Sequence, residues 1–236
     1  MFAFGLFDRA AYANDPARIP AAGHAAVARK VAEGGITLLK NRSGVLPLRP
    51  KQVKTIALIG SDADAITSGG GSSRVTPLVA TTPKQGLQRR AGSAIRVRYD
   101  GSNDPARSAR TAAGADVAVV VVSDGATEGA DQPCIRIDCT DGDARNLDAV
   151  IEAVAKANRR TIVVMQTSGP VLTPWRDSVA ALVEAWYPGE SGGAAIARVL
   201  FGDVDPGGRL PATSPTASRT SPRPAMRGAS PASGAP

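Results

Sequence analysis

Short runs of apolar residues alternate along this chain with segments in which apolar residues recur every three or four positions. The runs are rich in Val, Ile and Leu and stop at Gly, Asp or Pro, which is typical of strands covered on both faces. We predict buried strands in KTIALIG, DVAVVVV, RRTIVVMQ and VAALVEAWYPG, a half-exposed strand in AIRVRY, and a short strand or turn in GITLLKN.

The segments between these runs have helical spacing. We predict helices in HAAVARKVAEGG, TPKQGLQRRAG, DPARSARTAAGA, DARNLDAVIEAVAKAN and ESGGAAIARVLFGD. The second of these begins with Thr82 and Pro83, which suit the N-cap and the first helical position. Because strands and helices alternate, the sequence predicts an α/β fold, with an open, mostly parallel sheet flanked by helices on both faces (an α/β/α sandwich).

Composition narrows the class of protein. Of the 236 residues, 43% are hydrophobic and only 4% are aromatic, so the core must consist mainly of Val, Ile, Leu and Ala. The net charge of +7 includes no basic stripe interleaved with aromatic residues, which argues against nucleic-acid binding. No segment approaches the roughly 20 consecutive apolar residues of a membrane span, so we predict no membrane-spanning helix.

The two ends of the chain differ in character from the middle. Residues 1–20 are typical of a linker entering a domain, and their opening lacks the basic region of a signal peptide. Residues 214–236 are small or polar apart from Pro, Arg and the single large apolar residue Met226. Such a segment cannot bury a core, so we predict that it is disordered.

Several kinds of site find little support in the sequence. Gly60 stands alone after its strand, SGGGSSRV has no Lys at P-loop spacing, and no G-x-S-x-G element is present. With one His and two Cys in the chain, a zinc site is disfavoured, and we predict no metal and no cofactor. For Cys134 and Cys139, a local disulfide and two free thiols are both open alternatives.

An acidic loop follows the most apolar of the predicted strands. The continuous run from Val117 to Val122 breaks into Gly, Asp and Glu, and Glu128 and Asp131 lie in this loop. Ligands of parallel sheets usually bind just beyond the carboxyl ends of the strands. Composition alone nevertheless makes Glu128 more typical of a solvated loop residue than of a catalyst.

Four groups of motifs follow one another along the chain and change this interpretation. They are HAAVARKVAEGGITLLKN with LPL, IALIGSDAD with GGGSSRVTP, ADVAVVVVSDGATEGAD, and SGPVLTPW with VEAWYPGESGGAAIARVLFGDVDPGGRLPAT. In this order they resemble the C-terminal domain of glycoside hydrolase family 3, the β-glucosidase family. The first group resembles the opening helix and strand of that domain, and the second resembles its first sheet strand and Gly/Ser loop. The third resembles the strand and loop that carry an E-G-x-D element, and the fourth resembles the closing segments.

The resemblance implies a retaining, exo-acting β-glycosidase, most similar to a β-glucosidase, whose substrate is a β-glucoside or oligosaccharide. The family's E-G-x-D element carries the acid/base Glu, which by position is Glu128. The resemblance also makes Asp131 and Ser72 the expected substrate-binding residues. Retaining chemistry needs two carboxyl groups about 5–5.5 Å apart. The acid of that pair needs a raised pKa, from burial or a neighbouring charge. After Asp131 the sequence QPCIRIDCTDGD replaces the family's more usual basic and Leu-rich continuation, which leaves the bound sugar open.

The family's usual architecture places a (β/α)8 barrel before this domain, and FGLFDR resembles the exit segment of that barrel. We therefore expect residues 1–20 to be a linker from a barrel that is missing here or separately encoded, and residues 21–213 to be the family's C-terminal domain. Residues 214–236 are expected to be a tail produced by a one-base frameshift. Since the barrel carries the nucleophilic Asp, this chain alone is expected to be inactive. The resemblance implies a periplasmic or secreted location for the full-length protein.

Two other classes of function are open at this point. The chain could act as a non-catalytic carbohydrate-binding or interaction module, which predicts sugar binding without turnover. A nucleotide-binding α/β domain predicts binding of ATP or NAD instead. Titrations with a sugar and with a nucleotide separate these classes.

Overall fold

The computed structural model describes residues 1–8, 16–139 and 145–215, and within them six strands form one sheet. The strands are β1 (Thr37–Asn41), β2 (Thr55–Ile59), β3 (Arg96–Asp100), β4 (Val117–Ser123), β5 (Thr161–Gln166) and β6 (Ala181–Glu184). The α-helices of this part of the chain are α1 (Ala21–Gly35), α2 (Pro83–Ala91), α3 (Pro105–Ala113), α4 (Leu147–Ala157) and α5 (Gly192–Phe201). Most of the predicted tail and the start of the predicted fourth helix lie outside the described residues.

The sheet is open and mostly parallel, as the sequence predicts. Its strand order is β1-β6-β5-β4-β2-β3, and every neighbouring pair is parallel except β1 with β6. Strand β4 lies between β2 and β5, and all seven of its residues are buried. This central position explains the continuous apolar run, because a strand with helices above and below has no solvent-facing side.

Two hydrophobic clusters lie on opposite faces of the sheet. Successive side chains of a strand point to opposite faces. Val119 and Val121 of β4 accordingly join one cluster with residues of α1, α2 and α5, whereas Val120 and Val122 join the other cluster with residues of α3 and α4. Helices therefore cover both faces, which confirms the α/β/α sandwich.

The predicted start of α2 is confirmed in detail. The Thr82 hydroxyl accepts a hydrogen bond from the Gln85 amide at 3.2 Å, and the Gln85 side chain accepts one from the Thr82 amide at 3.2 Å. This reciprocal pair is a capping box, which satisfies two amide groups that the first turn of a helix leaves unpaired. The cap fixes where the long β2–α2 connection ends and the helix begins.

The two edge strands carry charge and irregularity. In β3, Arg96 and Arg98 are exposed and alternate with half-buried residues, as the predicted half-exposed strand requires. In β1, the pairing with β6 shifts register between Leu38 and Lys40. Strand β6 is shorter than the sequence predicts, because the chain turns away after Glu184 and Trp186 has a φ of 55°.

No helix of the described residues is long and apolar enough to cross a membrane. Within the same residues, no group of three or more His, Cys, Asp or Glu side chains is placed to hold a metal ion.

Candidate active site

A pocket of about 500 Å³ lies at the carboxyl edge of the sheet. It is formed by the loops that follow β2, β4, β5 and β6, because parallel strands deliver the chain to the same edge. Its walls consist of Gly69, Ala126–Glu128, Ala130–Gln132, Thr167, Ser168, Trp186 and Tyr187. The predicted residues Glu128 and Asp131 are among them, so the structure brings these two into one pocket.

A larger cavity of about 950 Å³ lies near the C-terminal end of α4. It is lined by Arg42, Lys156, Arg159 and Arg160 among others and contains no predicted site residue. Positive side chains at this end complement the helix dipole of α4, which gives them a structural role. We therefore place the candidate site at the carboxyl edge of the sheet.

Glu128 lies at the exposed rim of the pocket and is held by the Gly/Ser loop after β2. Its carboxylate accepts a hydrogen bond from the Ser72 amide, and its own amide donates to the Gly69 carbonyl at 2.8 Å. Hydrogen bonds from the Ser72 side chain and backbone lower the pKa of Glu128 below its ordinary value. The predicted pair Glu128 and Ser72 is thus in contact, but this environment favours the carboxylate, whereas an acid catalyst needs the protonated form.

Glycines allow the Gly/Ser loop to approach the Glu128 loop so closely. Gly70 and Gly71 have φ values of 61° and 50°, where other residues are strained. A Cβ on Gly71 would lie 2.2 Å from the Glu128 carboxylate, and a Cβ on Gly70 would lie 2.2 Å from the Thr127 hydroxyl. The glycines of SGGGSSRV therefore serve loop-to-loop packing.

Asp131 and Gln132 follow Glu128 along the pocket wall. Asp131 is exposed, and its carboxylate makes no hydrogen bond or ion pair with the described residues. The Gln132 side-chain amide nitrogen is buried and has no hydrogen-bond partner in this part of the chain. A donor in this position suits a ligand oxygen, since buried polar groups are normally paired. The sequence interpretation did not select Gln132, although it marks the point where the family resemblance breaks.

A disulfide fixes the chain just beyond these residues. Cys134 and Cys139 are bonded, which decides between the two alternatives that the sequence left open. Inside the loop that they close, Ile137 is fully buried, and Arg136 forms an ion pair with Asp148 of α4 at 2.8 Å. Burial raises the pKa of Asp148, which also accepts a 2.7 Å hydrogen bond from the Trp175 indole. The far end of the Glu128 loop is therefore anchored to α4.

Two aromatic residues that the sequence interpretation did not select, Trp186 and Tyr187, also line the pocket. Trp186 is half-buried, and its indole donates to the Gly35 carbonyl at 3.1 Å. The Tyr187 hydroxyl donates to the Asp124 carboxylate at 2.5 Å. Burial and the neighbouring Asp124 raise the pKa of the Tyr187 hydroxyl well above its usual range. The available signal was the rarity of aromatic residues together with the place of this pair directly after a strand.

Two buried carboxyl groups lie beneath the pocket and tie its loops together. Asp124, at the end of β4, accepts hydrogen bonds from the Ser168 amide at 2.8 Å and the Ser168 hydroxyl at 2.7 Å. Glu184, at the end of β6, accepts from the Trp186 amide at 2.7 Å and contacts the Thr167 hydroxyl at 3.0 Å. Burial raises the pKa of Glu184 to about 7. Neither residue was selected from the sequence, because an acidic residue closing an apolar run is also the ordinary sign of a strand end.

The pocket combines an exposed carboxylate, an unpaired amide donor and an aromatic side, which is an arrangement suited to a polar ligand with apolar faces, such as a sugar ring.

Comparison with known proteins gives the family. The family model of the glycosyl hydrolase family 3 C-terminal domain matches residues 36–232, and the chain belongs to this family. The resemblance that the motifs indicate is therefore confirmed.

The relatives give the same result. The chain is 37% identical over 221 residues to a probable beta-glucosidase L of Aspergillus terreus, covering 81% of this chain and 29% of that protein. It is 34% identical over 206 residues to the thermostable beta-glucosidase B of Acetivibrio thermocellus, covering 81% of this chain and 26% of that protein. The chain thus spans less than a third of the length of these relatives.

Among solved structures, the crystal structure of DesR, a beta-glucosidase from Streptomyces venezuelae in complex with D-glucose, superposes with a TM-score of 0.78 at 26% identity. The match covers 92% of this chain and 41% of that chain. The beta-D-glucoside glucohydrolase of Trichoderma reesei superposes with a TM-score of 0.75, also at 26% identity, over 92% of this chain and 34% of that chain.

Proposed function

We propose that this chain is the C-terminal domain of a retaining, exo-acting β-glucosidase-like hydrolase and supplies Glu128 as its acid/base. One observation carries the proposal: Glu128 stands at the rim of a pocket formed at the carboxyl edge of the sheet, in a family whose matched relatives include several named as β-glucosidases. In this role Asp131 and Ser72 assist substrate binding and the orientation of the loop. The substrate is a β-glucoside or an oligosaccharide with a terminal β-linked sugar.

The reaction proceeds in two steps and needs two carboxyl groups. In the first step a nucleophilic carboxylate attacks the sugar carbon, the glycosidic C–O bond breaks, and the acid protonates the departing oxygen, which leaves a covalent glycosyl-enzyme intermediate. In the second step the same residue, now a base, takes a proton from the water that releases the sugar. In this proposal the nucleophile belongs to a barrel domain of the whole enzyme, so the chain by itself has no turnover.

The electrostatics of Glu128 fit the second step better than the first. Exposed to water and bonded to Ser72, it favours the carboxylate form at neutral pH. Docking of another domain over the rim would remove water, and desolvation raises the pKa of a carboxyl group. Closure of the site would then serve two purposes, since it completes the carboxyl pair and gives the acid its proton.

A chimera tests the proposal. Residues 21–213 would replace the matching domain of the Streptomyces venezuelae enzyme, and hydrolysis of p-nitrophenyl β-glucoside would be measured. Glu128→Gln should reduce turnover by about 10²–10⁴-fold, the usual contribution of a general acid/base. Azide should restore turnover, because it needs no base to attack the glycosyl intermediate. Glu152→Gln, the same change at an exposed site on α4, is the control. Equal activity of the Glu128→Gln and control chimeras would refute the acid/base role.

A non-catalytic carbohydrate-binding or interaction module is the second candidate. The unpaired Gln132 amide and the half-buried Trp186 favour it, because both belong to this chain and need no other domain. Titration of the chain with glucose or cellobiose, followed by NMR, should shift the Trp186 indole signal if this candidate holds. Binding by the chain together with an unaffected Glu128→Gln chimera would favour the module over the catalytic domain.

The disulfide bears on where the protein works. We propose that the full-length protein is exported to the periplasm or secreted, because disulfides persist in oxidising compartments. Fractionation of the source cells followed by thiol labelling tests this location. Protein found in the cytoplasm with free Cys134 and Cys139 would contradict it.

A further inference from the structure

The turns after β5 and β6 meet at one buried carboxyl group. Glu184 is 3% exposed, and its Oε1 accepts hydrogen bonds from the Trp186 amide at 2.7 Å and the Thr167 amide at 3.4 Å. Its Oε2 lies 3.0 Å from the Thr167 hydroxyl. Both turns contribute to the pocket, so Glu184 links two of its sides from below.

The hydrogen bonds around the Thr167 hydroxyl indicate the protonation state of Glu184. The Thr167 hydroxyl lies 2.9 Å from the Gly169 carbonyl and 3.0 Å from Glu184 Oε2, but a hydroxyl has one proton to donate. If Glu184 is ionised, one of these oxygen pairs has no hydrogen between its members. If Oε2 is protonated, it donates to Thr167, and Thr167 donates to Gly169. Burial favours the same neutral form and raises the pKa of Glu184 to about 7.

The neighbouring Asp124 has the opposite surroundings. Within the described residues, its carboxylate accepts hydrogen bonds from the Ser168 amide, the Ser168 hydroxyl, the Ala126 amide and the Tyr187 hydroxyl. Such a set matches an ionised carboxylate. Asp124 is a charged group close to Glu184. Its negative charge adds to the free-energy cost of ionising Glu184.

We propose that Glu184 is a positioning residue whose protonated carboxyl group holds the turns after β5 and β6 in the arrangement that forms the aromatic side of the pocket. Trp186 adopts a φ of 55°, which is unfavourable for a bulky residue. Its amide is held there by Glu184, and its indole by the Gly35 carbonyl. When Glu184 ionises above about pH 7, the bridge through Thr167 is lost, Asp124 repels the new charge, and the position of Trp186 changes.

Trp186 itself reports the effect in the chain as it exists. The chain has two Trp residues, so its ¹⁵N spectrum contains two indole signals, which a Trp186→Phe variant assigns. Between pH 5.5 and 8.5 the indole and backbone amide signals of Trp186 should move with a midpoint near 7. In Glu184→Gln, which imitates the neutral carboxyl group, both signals should stay near their low-pH positions throughout.

Matched variants exclude other sources of the effect. Glu152→Gln makes the same chemical change on the exposed face of α4, and His24→Gln removes the single imidazole, a group that ordinarily titrates in this range. Both should keep the inflection. A native chain without an inflection, or a Glu184→Gln chain that keeps it, would overturn the proposal. If Glu184→Gln does not fold, Thr167→Val removes only the bridge and should shift or broaden the Trp186 signals at pH 6, and unchanged signals would refute the role.

The consequence for ligands rests on the proposed function. D-glucose should bind the native chain several-fold more weakly at pH 8 than at pH 6, and Glu184→Gln should abolish this difference. If no sugar binds at either pH while the Trp186 inflection persists, the proposed function fails and the positioning role stands. Sugar binding that does not depend on pH while the inflection persists would show that Glu184 does not control the pocket.

Discussion

Two glutamates at the same edge of the sheet occupy opposite surroundings. Glu128 lies on an exposed loop, and hydrogen bonds from Ser72 lower its pKa. Glu184 lies beneath the pocket, and burial raises its pKa to about 7. The residue predicted to act as an acid thus has the environment of a base, while the residue that no motif indicated has the environment of an acid.

The difference separates two kinds of work in one pocket. The rim residue Glu128 is open to whatever docks or binds there, so its chemistry depends on a partner surface. The buried residue Glu184 is already enclosed by the domain, so its protonation state is a property of the fold. In the proposed function, proton transfer to a substrate takes place at the rim, whereas the buried carboxyl groups hold the shape of the pocket.

The largest expected effect concerns the stability contributed by Glu184. The pKa of Glu184 is about 7 in the folded chain and has its ordinary value of 4.5 in the unfolded chain. Below pH 4.5 the carboxyl group is therefore protonated in both the folded and the unfolded chain. Stability from this group is complete below pH 4.5 and is lost as the pH rises to about 7. The loss amounts to about 3 kcal/mol. Urea unfolding between pH 4 and 8 should show that the free energy of unfolding of the native chain falls as the pH rises, and that it falls less in Glu184→Gln. The same pH dependence in both chains would contradict the raised pKa of Glu184.

The next effect concerns the exposed side of the pocket. Gly71→Ala should displace Glu128, because the new Cβ would meet its carboxylate. Gly44→Ala is the matched control, since Gly44 has a similar φ of 60° but open space around the added atom. In the chimera, Gly71→Ala should reduce kcat/KM about a hundredfold more than Gly44→Ala, as a displaced catalytic group does. Equal losses would show that backbone strain alone, and not the position of Glu128, matters.

Opening the disulfide should have a smaller effect. The double change of Cys134 and Cys139 to Ser frees a short loop, for which chain entropy gives about 2 kcal/mol. Thermal unfolding should show this loss of stability, and amide exchange should increase between residues 131 and 139. Ile137 and the Arg136–Asp148 ion pair also hold the loop, so adding Arg136→Gln to the double variant should increase amide exchange further. Unchanged amide exchange in the double variant would mean that these contacts suffice.

The smallest effect is a change at the rim. Ser72→Ala removes one of the groups that stabilise the Glu128 carboxylate, so the pKa of Glu128 should rise towards its ordinary value. Because the folded pKa is lowered, this contact contributes stability above the unfolded pKa, and that stability is lost as the pH falls through the folded pKa. Carboxyl ¹³C titration measures the shift, and Ser102→Ala, which lies on the loop after β3, serves as the control. A titration of Glu128 that is unchanged by Ser72→Ala would contradict the contact.

The sequence determined much of the fold because local patterns carry it. The apolar run in β4 predicted a doubly covered strand, and Thr82 with Pro83 predicted the start of α2. The site was harder to predict from the sequence, because its contacts join residues far apart in the chain. Glu128 was predicted as a site residue from the order of the family motifs, whereas its contact with Ser72 depends on the positive φ of Gly70 and Gly71. Neither the turn at Trp186 nor the burial of Glu184 has a local pattern that would have predicted it.

The two edge strands of the sheet affect the tendency of the domain to self-associate at high concentration. An edge strand with free backbone groups can pair with the edge of another molecule. Here one edge presents the guanidinium groups of Arg96 and Arg98, and the other is interrupted by the register shift beside Lys40. Both edges therefore oppose the addition of a seventh strand, and copies of this domain are protected against growing into a continuous intermolecular sheet.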